Sequence, residues 1–158
     1  MSLKLFYLTT EISPFASTSH LGDYSVFIPL SLQTKGHDVR TMIPKYGFVS
    51  ERKYILREVI RLREIPFDFD GQEVITSAKS AFIPKTRVQV YFMEHKNFFS
   101  SVPELIYKSR NGRVYSNNHE KFTFFITAAI ETLKKLYWIP DYIICSNWQM
   151  SMASSIIK

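Results

Sequence analysis

A chain of 158 residues with 46% hydrophobic and 22% charged residues has the composition of one globular domain with a substantial core. Its formal net charge of +6 is spread along the chain without a basic block, which argues against nucleic acid as a partner. The single cysteine, Cys145, excludes an intrachain disulfide, and no apolar run approaches the roughly 20 residues of a membrane-spanning helix. We therefore expect a cytoplasmic protein with no membrane partner, and the sequence shows no metal-binding or cofactor motif.

The first part of the chain predicts a βαβ unit. Residues 3–10 form an apolar strand, and residues 22–35 have apolar side chains at helical spacing, Phe27 among them, before the helix-stopping Gly36. Residues 38–44 predict the second strand, and such a crossover implies a parallel sheet. The order strand, loop, helix start is one in which α/β proteins present backbone N–H groups to an anionic ligand.

The middle of the chain predicts a β-ribbon followed by another strand. The two arms of the ribbon are residues 54–66 and 72–83, and Asp70-Gly71 is typical of a hairpin turn. Residues 87–93 predict a strand that is apolar in its second half. Residues 96–117 are predicted to be irregular, because Ser, Asn and Gly are frequent there.

The last third predicts a long helix, a short strand and a final helical segment. Residues 118–137 have one apolar face, and Lys121 is assigned to the polar side. Residues 141–145 follow Pro140 as a strand, in which Cys145 is expected to be an inert core residue. Residues 148–157 are expected to be helical.

Several segments in chain order resemble the catalytic domain of glycogen and starch synthases. The matching residues are Glu11, Pro14-Phe15-Ala16, Leu21-Gly22-Asp23, Gly36 to Arg40, Tyr91 to His95, Asn118, Glu120, Phe122, Pro140-Asp141 and Trp148-Gln149. These synthases are two-domain glycosyltransferases of the GT-B type. The resemblance implies an α/β fold, a Rossmann-like parallel sheet with flanking helices and an inserted β-ribbon. It also implies that residues 1–158 are a single, partial N-terminal domain without the C-terminal nucleotide-binding domain.

The first family motif is a Lys-Thr-Gly-Gly-Leu-Gly-Asp loop, which here is altered at its start. Ser17 stands at the position of the lysine, and Ser19 and His20 stand at the positions of the paired glycines. A serine hydroxyl cannot neutralise a leaving diphosphate, and the added side chains hinder close approach of the backbone to a ligand. The resemblance implies substrate binding at Glu11, Thr18, His20, Gly22, Asp23 and Trp148.

Each of these residues also has a structural interpretation. Asp23 either binds a sugar hydroxyl or interacts as a helix-start carboxylate with the helix dipole. Glu11 is favoured as an acceptor that organises the loop, and His20 as an exposed loop histidine. Trp148 is favoured as a packing residue at the junction of strand and helix.

The second family motif is altered as well. Ser146 stands where the family has a sugar-contacting histidine, and it cannot titrate near neutral pH. Asn147 replaces an aspartate; it can cap the next helix but carries no charge. Ser17, Ser146 and Asn147 are thus degenerate positions, and no catalytic residue is assigned.

Three functional hypotheses follow. The first is a glycogen/starch synthase-like domain that is inactive alone and binds α-glucan, a nucleotide sugar weakly, or a partner protein. The second is one subunit of a split glucosyltransferase, completed by a separate C-terminal domain chain, that transfers glucose from ADP-glucose or UDP-glucose to an α-1,4-glucan. The third is a non-enzymatic assembly module that forms a homodimer through an exposed edge of the sheet.

Overall fold

The computed structural model describes residues 1–102 and 105–157 of the chain. The helices and longer strands, in chain order, are β1 (Lys4–Leu8), α1 (His20–Thr34), β2 (Asp38–Pro44), α2 (Glu51–Tyr54), β3 (Arg57–Glu58), β4 (Ile65–Phe69), β5 (Gln72–Phe82), β6 (Gln89–Glu94), α3 (Asn118–Leu136), β7 (Tyr142–Cys145) and α4 (Ala153–Ile156). Short 3₁₀ turns lie at Ile60–Leu62 and Trp148–Met150, and a π turn lies at Lys96–Ser100. None of the described helices is long and apolar enough to cross a bilayer.

The centre of the fold is a parallel sheet of four strands in the order β6, β2, β1, β7. Leu5 on β1 pairs with Val39 on β2 and with Tyr142 on β7. The predicted βαβ unit and parallel sheet are confirmed. Because parallel strands end at the same edge, the loops that follow β1, β2, β6 and β7 all lie at one edge of the sheet, where α/β proteins build their binding sites.

An antiparallel extension continues the sheet beyond β6. Strand β5 pairs antiparallel with β6, β4 and β3, and the β4–β5 ribbon turns at Asp70 and Gly71, whose φ angles are both positive. Positive φ at both central residues is the geometry of the predicted hairpin turn. The prediction that residues 54–66 form the first arm is wrong for most of that range: the arm is Ile65–Phe69. A left-handed residue, Ile55, ends α2, and the 3₁₀ turn that follows buries Leu62 instead of extending a strand.

Helix α3 is the main cover of the ribbon, and it confirms the predicted helix within one residue. The Phe124 ring is fully buried at the centre of an aromatic cluster. Its neighbours, with ring centroids 4.5 to 6.2 Å away, are Phe67, Phe69, His95, Phe98 and Phe99. The cluster therefore joins α3, the ribbon and the π turn in one core.

Lys121 corrects the prediction that it lies on the polar side of this helix. The residue is only 1% exposed, because the segment from 105 to 117 folds over α3. Its Nζ donates to the carbonyl oxygen of Ile106 at 2.6 Å and lies 4.9 Å from the centre of the Tyr115 ring. Burial lowers the pKa of Lys121 to about 8. The lysine thus fastens the predicted irregular segment to the helix.

Helix α1 also differs from its predicted face. Small and compact residues, Gly22, Ser25 and Pro29, are the buried ones, and they allow the helix to approach the sheet closely. Phe27, expected on the apolar face, is 68% exposed. The stop at Gly36 is confirmed, since this residue has a φ of 95° directly after the C-cap.

Strand β7 forms an edge of the sheet. It pairs with β1, and in the described part of the chain no strand pairs with its other side. The sequence predicts that Cys145 lies in the core, but the residue is exposed. Neighbouring atoms still shield part of its thiol from water, and this desolvation raises the pKa of the thiol, which stays protonated. Residues 148–157 are only partly helical, as a 3₁₀ turn and the four-residue α4.

Candidate functional site

The loop between β1 and α1 is organised around the carboxylate of Glu11, which is 2% exposed. Its Oε1 accepts from the backbone N–H of Ser19 and of Gly22, both at 3.0 Å, and from the Ser19 hydroxyl at 2.5 Å. Its Oε2 accepts from the N–H of Thr18 at 3.3 Å and from the Thr18 hydroxyl at 2.6 Å. Five hydrogen bonds therefore converge on one buried carboxylate, as expected of a residue that organises the loop.

The anion that faces the start of α1 is therefore a carboxylate of the chain itself, that of Glu11. Ser19 is the N-cap residue, and its Oγ accepts from the N–H of Leu21 at 3.3 Å. The N–H of Gly22 points to Glu11. The sequence predicts that backbone N–H groups at the start of α1 face a bound anion. Two of these groups instead donate to the side chains of Ser19 and Glu11, which cap this end of the helix and compensate its partial positive charge.

A second group of polar side chains lies on the outer side of the same loop. Ser13 Oγ donates to Oδ1 of Asp23 at 2.9 Å and lies 2.9 Å from Ser17 Oγ. A Cβ atom at Gly22 would come within 2.8 Å of Ser17 Oγ and 2.9 Å of Ser13 Oγ, so any side chain at this position would displace the two hydroxyls from their present places. Ser17 thus fills the position of the family lysine with a hydroxyl that is held against the loop. Thr18, His20 and Asp23 are exposed to solvent.

The second motif lies at the carboxyl end of β7. The Tyr7 hydroxyl donates to Ser146 Oγ at 3.1 Å. Asn147 has a φ of 72°, and its Oδ1 accepts from the N–H of Trp148 at 2.8 Å, so the predicted cap is confirmed. Trp148 is 51% exposed and packs edge-on against Tyr107 and Phe122, with ring centroids 5.4 and 5.9 Å away.

The two motifs are connected by a buried network of hydroxyl groups. The Tyr7 hydroxyl that reaches Ser146 also lies 3.5 Å from Ser25 Oγ on α1, and Thr9 Oγ1 lies 3.2 Å from the same Ser25 oxygen. The structure therefore brings the loops after β1 and β7 together, as the parallel order requires. Sequence reasoning missed this network; its one signal is the two-residue spacing of Tyr7 and Thr9, which puts both hydroxyls on one face of a strand.

A buried tyrosine also donates a hydrogen bond to the segment that contains Glu11. The Tyr46 hydroxyl is fully buried and donates to the carbonyl oxygen of Thr10 at 2.7 Å. Burial, together with the nearby negative charge of Glu11, raises the pKa of Tyr46, so the phenol stays protonated and remains a donor. Among the described residues, no group of three or more His, Cys, Asp or Glu side chains is placed to hold a metal ion.

Known proteins share both the fold and the order of these motifs. The catalytic domain of starch synthase IV from Arabidopsis thaliana, solved bound to ADP and acarbose, matches with a TM-score of 0.77 and 25% identity, over 98% of this chain and 30% of that one. Glycogen synthases of Chlorobium limicola and Chlorobium luteolum are 32% and 33% identical over 157 and 155 residues, which are 99% and 98% of this chain. The chain spans about a third of the length of each of these synthases, 32% in both cases.

The fold and the paired motifs define an α/β domain of the starch synthase GT-B class, with the Rossmann-like parallel sheet and inserted ribbon that the sequence predicts. The model of the starch synthase catalytic domain family matches residues 4–158. The chain belongs to this family.

Proposed function

We propose that this chain is a cytoplasmic glycogen/starch synthase-like domain that binds α-glucan but does not by itself transfer glucose. The absence of transfer rests on the altered loop before α1, and glucan binding rests on the membership of the chain in the starch synthase catalytic domain family. The side chain at the position of the family lysine is Ser17, an uncharged hydroxyl held beside Ser13. Ser19, at the position of a family glycine, caps the start of α1 by accepting from the N–H of Leu21. Transfer from a nucleotide sugar requires stabilisation of the negative charge that develops on the leaving diphosphate, and a hydroxyl supplies no positive charge there.

A glucosyl transfer assay tests this proposal. Incubation of the purified chain with radiolabelled ADP-glucose or UDP-glucose and glycogen should give incorporation no higher than a protein-free control. The Kd for ADP-glucose, measured by calorimetry, should be millimolar or weaker, which corresponds to a binding free energy of about 4 kcal/mol or less. Micromolar binding, or transfer that Asp23→Ala abolishes, would contradict the proposal.

A charge-restoring variant makes the test sharper. Ser17→Lys should tighten ADP-glucose binding, because an ammonium group returns to the phosphate side of the loop. Ser17→Met is the matched control, since it adds a side chain of similar length without charge. Equal affinities of the two variants would show that the missing charge is not what weakens the site.

The open edge of β7 favours a second candidate function, a homodimeric assembly module. An edge strand is usually protected by charges, proline or a bulge, whereas residues 142–145 read Tyr-Ile-Ile-Cys and carry none of these. Tyr137, Ile139 and Tyr142 expose large apolar surfaces in the same part of the chain. Two-fold pairing of β7 with its copy would satisfy the free backbone groups and cover apolar area in both subunits.

Sedimentation measures this second candidate directly. At tens of micromolar we expect twice the monomer mass of 18.5 kDa. Tyr142→Lys should return the protein to a monomer by placing a charge on the edge, while Tyr24→Lys, an equally exposed tyrosine on α1, should leave the dimer intact. A monomeric unsubstituted chain would rule the dimer out.

A further inference from the structure

Residues 105–117 cross the start of α3, and we refer to them as the 105–117 strap. Of these residues, all of which the structure describes, only Ile106 is buried. The N–H of Tyr115 donates to the carbonyl oxygen of Tyr107 at 3.0 Å, and an antiparallel bridge lies within the same turn of the chain. The strap thus forms backbone hydrogen bonds within itself but buries few side chains in the domain, as is typical of segments that open locally.

Two side chains of α3 hold neighbouring carbonyl groups of the strap. Asn118 Nδ2 donates to the carbonyl oxygen of Tyr107 at 2.8 Å. Lys121 Nζ donates to that of Ile106 at 2.6 Å. A third contact is aromatic, since the Tyr107 ring packs edge-on against Trp148, with ring centroids 5.4 Å apart. These attachments are close together in the strap, so that loss of one weakens the others.

One of these attachments holds a charged group away from water. Lys121 is 1% exposed, and beside the carbonyl oxygen of Ile106 its Nζ faces the rings of Tyr115 and Phe122, at 4.9 and 5.1 Å. Within the described residues no carboxylate pairs with this amine, and desolvation lowers its pKa to about 8. At pH 7 the ammonium group therefore loses hydration when the strap closes over it and regains hydration when the strap opens.

We propose that the 105–117 strap opens and closes as one unit while the sheet and α3 stay folded, and that opening uncovers Lys121 and the packed face of Trp148. The internal hydrogen bonds of the strap make it a unit, and the buried ammonium group favours its release. Because Trp148 follows Asn147 directly, the strap controls access to one side of the second motif. The inference is independent of glucan binding, since it concerns only contacts within the chain.

Hydrogen exchange of the purified chain, followed by mass spectrometry, tests the opening. At pH 7 the hydrogen-bonded amides of the strap should share one protection factor, at least about tenfold below those of the central turns of α3. Asn118→Ala should raise strap exchange by about threefold to tenfold through loss of one hydrogen bond, with α3 unchanged. Tyr107→Ala should act in the same direction, and Asn97→Ala, at an exposed asparagine of the π turn, is the control without effect. Equal protection of the strap and α3 in the unsubstituted chain would overturn the proposal.

The pH dependence of the opening shows whether Lys121 enters water. The pKa of about 8 in the closed strap lies below the value of about 10.4 for a lysine in water, so the open strap binds more protons between these values. Raising the pH from 7 to 9 should therefore favour the closed strap and lower its opening equilibrium by about tenfold, measured by quench-flow exchange with correction for intrinsic rates.

Lys121→Met is the control for this pH response, because it keeps a long side chain and removes the amine. The other titratable groups of the strap and of the neighbouring turn of α3 are Tyr107, Lys108, Tyr115, His119 and Glu120. The arginines of the strap are exposed and keep their charge throughout this range. The variant retains all of these groups and should lose the tenfold change. An opening equilibrium that does not depend on pH in the unsubstituted chain, or an equal response in Lys121→Met, would show that Lys121 is not uncovered and would overturn the proposal.

Discussion

Replacing Glu11 by alanine should lower the free energy of unfolding by about 3–5 kcal/mol, because backbone donors of Thr18, Ser19 and Gly22 lose their acceptor at once. A buried donor left without a partner costs about 1–3 kcal/mol. The loss is measured by urea denaturation followed by circular dichroism. Glu73→Ala, which removes an exposed carboxylate from β5, should change the free energy of unfolding by less than about 0.5 kcal/mol.

The variant Glu11→Gln tests the charge and acceptor capacity of this side chain while keeping its size and shape. The amide keeps one acceptor oxygen, but its nitrogen faces donors, so this variant should lie between the unsubstituted chain and Glu11→Ala. Equal stability of Glu11→Ala and Glu73→Ala would show that water replaces the carboxylate freely and that Glu11 does not organise the loop.

Phe124→Ala should destabilise the protein by about 3–5 kcal/mol, the usual cost of deleting a buried phenylalanine ring. The ring joins three elements, because its neighbours Phe67 and Phe98 come from the ribbon and the π turn. The variant should therefore lose near-ultraviolet circular dichroism as well as stability. Phe82→Ala, the same substitution at an exposed site, should cost less than about 1 kcal/mol. If the two variants unfold at the same denaturant concentration, the aromatic cluster does not hold the ribbon against α3.

Local patterns in the sequence predict most of the sheet. Strands β1, β2, β6 and β7 are short apolar runs bounded by turn residues, and Gly36 and Asp70-Gly71 adopt the positive φ angles that their residue types favour. The region 54–66 fails because its apolar residues have neither strand nor helix period, so their environment depends on α3, which is distant in sequence.

The helix faces were harder to predict for a related reason. Periodicity predicts that Phe27 is buried and Lys121 exposed, and both predictions are reversed in the structure. Close approach of α1 to the sheet selects small residues instead of large apolar ones. The burial of Lys121 depends on the Ile106 carbonyl oxygen, which belongs to a segment without any period of its own.

In the candidate site, too, features that depend on local sequence could be predicted, whereas contacts between distant segments could not. The arrangement of Glu11 as an acceptor for loop N–H groups and of Asn147 as a cap follows from residue type and position, and the structure contains both. The link through Tyr7 and Ser25 requires knowledge that β1 and β7 are neighbours and that α1 crosses them. Apart from the two-residue spacing of Tyr7 and Thr9, these contacts between distant segments leave no local signal in the sequence.

The position of β1 between β2 and β7 has a consequence for the order of events during synthesis. The N–H of Lys4 donates to Oδ2 of Asp141 at 2.7 Å, across 137 positions of sequence. Strand β1 leaves the ribosome long before β7, so one of its two edges has no partner until residues 142–145 have emerged. Until then an apolar strand with an open edge is a target for chaperones and for aggregation, and closure of such a long loop makes folding of the sheet slow.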